Sequence, residues 1–166
     1  MHLAFDLATP WLVFTDLDGT LLDWKTYSAA IARPALARLR ELGVPVIFCS
    51  SKTATEQRAL RQSLQIRSIP SIVENGAAII VPDAAGLHTG DWLPAPGEPG
   101  RKVKVLGMDS DEVCQRLDRV RQRTGLPLRG YRHITDQQLA DLSGLNHEAA
   151  TRARNREYSE TLIDVL

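Results

Sequence analysis

Two carboxylates stand two residues apart in Asp16-Leu17-Asp18-Gly19-Thr20, directly after the apolar run Trp11-Leu12-Val13-Phe14. In an extended segment the side chains at i and i+2 point the same way, so both acids can face one space. One carboxylate could attack phosphorus while the other handles the proton of the leaving group. A phosphate dianion beside two carboxylates is repelled, so this chemistry needs a divalent cation, and hard oxygen donors favour Mg²⁺. Gly19 lets the backbone turn tightly, and Thr20 offers a hydroxyl. A calcium loop also alternates acids before a glycine. It fails here because the third acidic ligand is absent, no glutamate closes the loop at the required spacing, and the preceding segment reads as strand rather than helix. A solvated turn after a strand is the plain alternative.

A second set of polar groups closes the next apolar run, where Val46-Ile47-Phe48-Cys49 leads into Ser50-Ser51-Lys52. Read alone, Ser50 is a strand end and Lys52 a surface cation; read together with the acid pair, the two segments are a stronger signal than either alone. Glu56 stands three residues after Thr53, a capping-box spacing that accounts for it without function. Cys49 and Cys114 lie far apart and the 4 histidines show no paired zinc spacing, so buried thiols in a reducing cytoplasm are expected.

These groups need elements to position them. The run before Asp16 suits a buried strand that enters a tight loop. Pro34 fits the first turn of a helix whose apolar face carries Ala35, Leu36, Leu39 and Leu42, with Gly43 as the stop. Residues 44–49 then form a second buried strand, and Thr53 opens a helix that runs to about Leu64. Residues 71–74 make a third strand. Asn75-Gly76 is a two-residue hairpin signal, so residues 77–81 return antiparallel. Strands alternating with helices imply a parallel sheet with right-handed crossovers, and ligands of such sheets sit at the carboxyl ends of the strands.

The prolines and glycines between Pro82 and Gly100 predict a boundary loop with no regular element. Beyond it, residues 102–106 read as a strand, Asp109 to Thr124 as a helix ended by Gly125, and 128–132 as another strand. A short helix opens on the box Thr135-x-x-Gln138, and a third helix spans 146 to about 155. The fold class is therefore α/β: a Rossmann-like core over residues 1–85 and a small α+β unit over 86–166.

Lysine plus arginine and aspartate plus glutamate each number 20. With no net field and no basic run interleaved with aromatics, nucleic acid is not an expected partner. Nothing before Pro10 joins a basic leader to a long apolar stretch, and no window reaches the length of a membrane span, so neither export nor a membrane partner is expected.

The pentad resembles the first motif of haloacid dehalogenase (HAD) superfamily phosphatases, and Ser50 resembles their second. Three segments narrow the likeness to the mannosyl-3-phosphoglycerate phosphatase subgroup. Ser50-Ser51-Lys52-Thr53 with Glu56 is similar to SSKT-x-x-E, residues 72–79 to VENGAAI, and Arg156-Glu157-Tyr158-Ser159-Glu160 to a REYSE motif of the cap, although Thr161 stands where proline is usual. The resemblance implies that Asp16 is a nucleophile forming an aspartyl-phosphate. It implies that Asp18 is the acid and then the base, and that both help hold Mg²⁺. Gly19, Thr20, Ser50, Ser51 and Lys52 would bind phosphate, while Arg156, Ser159 and Glu160 in the cap would contact a small-molecule phosphosugar. A Cof-type or sucrose-phosphatase-like enzyme acting on another sugar phosphate is the alternative within the superfamily.

Two family motifs have no counterpart: a lysine after the cap, and a Gly-Asp-x-x-x-Asp segment. Gly90-Asp91, Lys102 and Lys104 all come too early. The expectation is a chain truncated at its C-terminus, with an unpaired edge on the first strand that invites self-association, weak Mg²⁺ binding and little turnover. A non-catalytic remnant that binds a partner is the reading from a different class.

Overall fold

The structure is a computed structural model that describes residues 11–66 and 69–163. The expectation about a leader before Pro10 lies outside the described residues. The chain forms two compact units, one ending at Leu106 and the other starting at Gly107.

In the first unit, β1 (Val13–Thr15), α1 (Arg33–Glu41), β2 (Val46–Cys49), α2 (Ala54–Ser63) and β3 (Ser71–Val73) alternate as the sequence predicts. The first three strands are parallel, with Val13 paired to Val46 and Phe48 to Ser71. Leu17, Leu22, Leu36, Val46, Phe48, Leu64 and Ile69 form the core cluster of this unit, so the residues on either side of Asp16 and Asp18 are anchored from within. Thr53 caps α2 by accepting from the Glu56 amide at 3.2 Å, and the Glu56 carboxylate takes the Thr53 amide at 2.9 Å. Among the described residues β1 is the end of the sheet, with Phe14 59% exposed.

The parallel strands continue into antiparallel ones, giving the order β1-β2-β3-β4-β6-β5 with β4 (Ala78–Pro82), β5 (Leu93–Pro94) and β6 (Arg101–Val105). Two expectations change here. The stretch 82–100 does contain a short strand, because Leu93 and Pro94 pair with Val103 and Lys102. The compact units divide some twenty residues later than the composition shift suggests, because β6 pairs with β4 along its whole length, from Ala78 with Val105 to Pro82 with Arg101. A buried ionic cluster reinforces that placement: Glu98 takes the guanidinium of Arg61 from α2 and lies 3.3 Å from Arg101 Nε.

The second unit holds α3 (Ser110–Thr124), β7 (Arg129–Gly130), α4 (Asp136–Ser143), α5 (His147–Arg154) and β8 (Leu162–Ile163). The Asp109 and Asn146 side chains cap α3 and α5, and Thr135 with Gln138 forms the box that starts α4. Ile134, Leu139, Ala140, Ala150 and Ala153 pack as its core. The strand expected over 128–132 is only two residues long, pairing with β8, and Tyr131–His133 turns away as a single 3-10 turn. No helix among the described residues is long and apolar enough to cross a membrane.

Candidate active site

The parallel register sets Thr15 beside Phe48, so the residues that follow β1 and β2 leave the sheet from the same end. Asp16 is exposed, Leu17 is fully buried, and Asp18 is half-buried, so the strand tip is pinned by the apolar residue between the two acids. Gly19 adopts φ 72°, a left-handed turn that favours glycine, and the Leu22 amide closes the loop on Leu17 O at 2.8 Å. Thr20 is exposed beside it.

The two strand ends meet through Lys52. Its Nζ lies 3.1 Å from Asp18 Oδ1 and 3.4 Å from Glu56 Oε1, and 5.6 Å from the centre of the Tyr27 ring. Burial disfavours the ammonium, but the carboxylates of Glu56 and Asp18 outweigh it and raise the Lys52 pKa above its ordinary value. Glu56, which the sequence explains as a cap, is thus also a ligand of the lysine. Ser50 is 5% exposed, and its Oγ accepts from the Lys52 amide at 3.3 Å; Ser51 is exposed.

The Asn75-Gly76 turn does more than reverse the chain. Glu74, Asn75 and Gly76 have φ of 51°, 60° and 87°, and the amides of Glu74 and Asn75 donate to Lys52 O and Ser50 O, both at 3.1 Å. The loop that presents Ser50 and Lys52 is therefore fastened by a turn that sequence reasoning takes as a plain hairpin. The repeated left-handed backbone is the signal available in the sequence, since Asn and Gly tolerate it.

In the second unit, Arg156 donates to Ser159 Oγ from Nε and Nη2 at 3.0 and 2.8 Å. The Glu160 carboxylate accepts from the amides of Tyr131, Arg132 and Thr161 at 3.1, 3.3 and 2.7 Å, and the Cys114 thiol lies 3.5 Å away. Burial and the Glu160 carboxylate push the Cys114 thiol up. The three residues that the sequence singles out in this unit are close in the chain and tied into its internal bonding.

Among the described residues, no three His, Cys, Asp or Glu side chains converge as a ready metal cage. Asp16 and Asp18 nonetheless suit Mg²⁺, which keeps several waters and commonly takes only one or two carboxylates plus a substrate phosphate. Asp18 Oδ1 is buried, and the Lys52 ammonium lies 3.1 Å from it.

Comparison with known proteins gives the same picture. Residues 13–89 match the family described as haloacid dehalogenase-like hydrolase. The fold is similar to that of a haloacid dehalogenase-like hydrolase from B. subtilis, with 19% identity, a TM-score of 0.51, and 90% of this chain and 52% of that one covered. A protein from Bacteroides thetaiotaomicron, described among phosphatases of the superfamily, gives 13%, 0.52, 93% and 50%, and a sugar phosphatase of HAD subclass IIB gives 15%, 0.51, 92% and 56%. The chain thus spans about half the length of these structures. The matched segment contains Asp16, Asp18, Ser50, Lys52 and Glu56 together with the parallel strands that present them, and over this segment the chain is similar to haloacid dehalogenase-like hydrolases.

Proposed function

We propose that the site hydrolyses phosphate monoesters of sugars, with mannosyl-3-phosphoglycerate as the preferred substrate. The observation that carries this reading is the meeting of the two strand ends, acid pair from β1 and phosphate-loop lysine from β2, through the 3.1 Å contact of Asp18 with Lys52. The SSKT, VENGAAI and REYSE resemblances support the choice of sugar, as does the likeness in fold to a sugar phosphatase.

In this mechanism an Asp16 carboxylate oxygen attacks phosphorus, the bond from phosphorus to the ester oxygen of the substrate breaks, and Asp18 gives its proton to the departing alkoxide. Water then attacks the aspartyl-phosphate, Asp18 recovers a proton from it, and phosphate leaves. Two carboxylates, Asp18 and Glu56, share one ammonium, Lys52, and Asp16 adds a third acid two residues before Asp18, so the site carries an excess of negative charge that a phosphate dianion cannot approach unaided. Mg²⁺ held by Asp16 and Asp18 would supply that compensation and polarise the phosphoryl group. Ser50, Ser51, Thr20 and the Gly19 turn offer donors to the phosphate oxygens. The REYSE resemblance assigns Arg156, Ser159 and Glu160 to sugar recognition, and within the second unit Glu160 fixes the segment around Tyr131 and Arg132. Both cysteines are free thiols, which supports a cytoplasmic setting.

Phosphate release across a panel of phosphosugars with Mg²⁺, with Asp16→Asn as control, tests the reading. Release that depends on Asp16 and is fastest with mannosyl-3-phosphoglycerate is expected. Preference for another sugar phosphate would move the chain to a Cof-type or sucrose-phosphatase-like activity, and release unaffected by Asp16→Asn would end the proposal.

A further inference from the structure

The loop that follows the acid pair holds two aromatic rings in the open beside the site. Trp24 is 73% and Tyr27 44% exposed, although large aromatic rings are ordinarily put to use in burial. Both are fastened to the phosphate-site residues. A Cβ placed on Gly19 would lie 3.2 Å from Trp24 Cε3, so the indole rests against the glycine turn of the pentad. The Tyr27 ring lies 5.6 Å from the Lys52 ammonium, which is itself paired with Asp18.

The loop is also braced. Asp23 Oδ1 accepts from the Lys25 and Thr26 amides at 3.1 and 2.8 Å and from the Thr26 hydroxyl at 2.8 Å, while Asp23 N and O bond to Ser28 O and Tyr27 N, both at 2.9 Å. The five hydrogen bonds of one aspartate hold Tyr27 at φ 52°, a left-handed conformation unfavourable for an aromatic residue. Strain of that kind costs on the order of 1–3 kcal/mol and persists where the surroundings over-determine it, commonly at binding sites. A loop built only to connect β1 with α1 has no need of it.

We infer that Trp24 and Tyr27 form a stacking platform for the leaving group, and that the group they take is a pyranose ring. The inference rests on the phosphosugar reading of the same site. An aromatic face beside a phosphate site accepts the C–H face of a sugar while the phosphate is held at the strand tips, and this adds selectivity for ring-bearing esters over acyclic ones. Lys25 and Thr26, exposed between the two rings in the chain, supply polar partners that a hydroxylated ring can use. Trp24 and Tyr27 are on this account specificity residues that leave the chemistry at Asp16 untouched.

The test is a titration of the whole chain, in Mg²⁺, with mannose 6-phosphate, glycerol 3-phosphate and inorganic phosphate, followed by the indole N–H signal of Trp24 assigned through Trp24→Phe. The ring-bearing ester is expected to shift that signal and to bind about 2- to 10-fold more tightly than glycerol 3-phosphate. Trp24→Ala should erase the preference while inorganic phosphate still binds, and Trp24→Phe should keep most of it. The inference is overturned if the Trp24 signal stays put at saturation or if Trp24→Ala keeps the preference. Binding of phosphate without any ring preference sinks this inference alone, whereas failure of all three ligands to bind removes the phosphatase reading and this one with it.

Discussion

The ammonium of Lys52 joins the ends of two parallel strands by standing 3.1 Å from Asp18 Oδ1, with Glu56 Oε1 at 3.4 Å on its other side. It is the cation placed among the carboxylates of the site, and its removal leaves Asp18 and Glu56 facing each other. Lys52→Met is predicted to weaken inorganic phosphate binding by about tenfold or more, since a charged hydrogen bond is worth about 1.5–3 kcal/mol. Lys52→Arg should recover part of the loss, and ³¹P line-broadening titrations measure both.

The same pair predicts a pH dependence. Burial opposes the Lys52 charge, yet Glu56 and Asp18 raise its pKa in the folded chain above the ordinary 10.5. A raised pKa means that the stabilisation is fully present below 10.5 and is lost as pH climbs through the folded value. The difference in Tm between the parent chain and Lys52→Met should therefore be constant from about pH 6 to about pH 9, and should shrink only in more alkaline buffer.

The buried cluster of Arg61, Glu98 and Arg101 sets two guanidinium groups on one carboxylate, with Arg61 3% and Glu98 5% exposed. Burial and the neighbouring Arg101 push Arg61 down to about 10, so it remains charged at neutral pH. Glu98→Gln leaves those charges uncompensated and is predicted to cost about 3–5 kcal/mol in urea unfolding.

Gly130 and Glu160 are predicted to act as one unit. A Cβ at residue 130 would lie 2.5 Å from Glu160 Cγ, which would force the carboxylate off the amides of Tyr131, Arg132 and Thr161. Gly130→Ala and Glu160→Ala should each destabilise the chain by about 1–3 kcal/mol, and the double variant should be little worse than either, a coupling that a double-mutant cycle reads directly.

How far the sequence reveals this arrangement depends on the range of the interaction. Helix α2 is legible from Thr53 and Glu56 because a capping box closes within four residues, and β1 and β2 are legible as short apolar runs ahead of polar ends. The second role of Glu56, as a partner of Lys52, is hidden by the success of the first. The place of β6 in the core sheet is not visible after a stretch rich in proline and glycine, because it comes from pairing with β4 across that stretch. Leu42, read onto the apolar face of α1, is 55% exposed, since the packed face of that helix is carried by Leu36 and Leu39. The taking of the Tyr131 and Arg132 amides by Glu160, nearly thirty residues away, likewise leaves no local trace.

The open side of β1 carries a further expectation. Among the described residues β1 ends the sheet, and with Phe14 on it and Leu12 just before it exposed at 59% and 52%, concentration-dependent self-association should appear in sedimentation velocity. Phe14→Lys should lower it, because a charge on an edge strand opposes strand-to-strand pairing.

The central claim is that Asp16 receives the phosphoryl group. Reaction of the chain with a phosphosugar and Mg²⁺, quenched in borohydride and followed by peptide mass spectrometry, tests it most directly, because reduction of an aspartyl-phosphate converts that residue to homoserine. The account predicts homoserine at position 16, absent in Asp16→Asn and absent without substrate. Reduction at a different carboxylate, or release of phosphate from the intact chain while Asp16 is never modified, would contradict it.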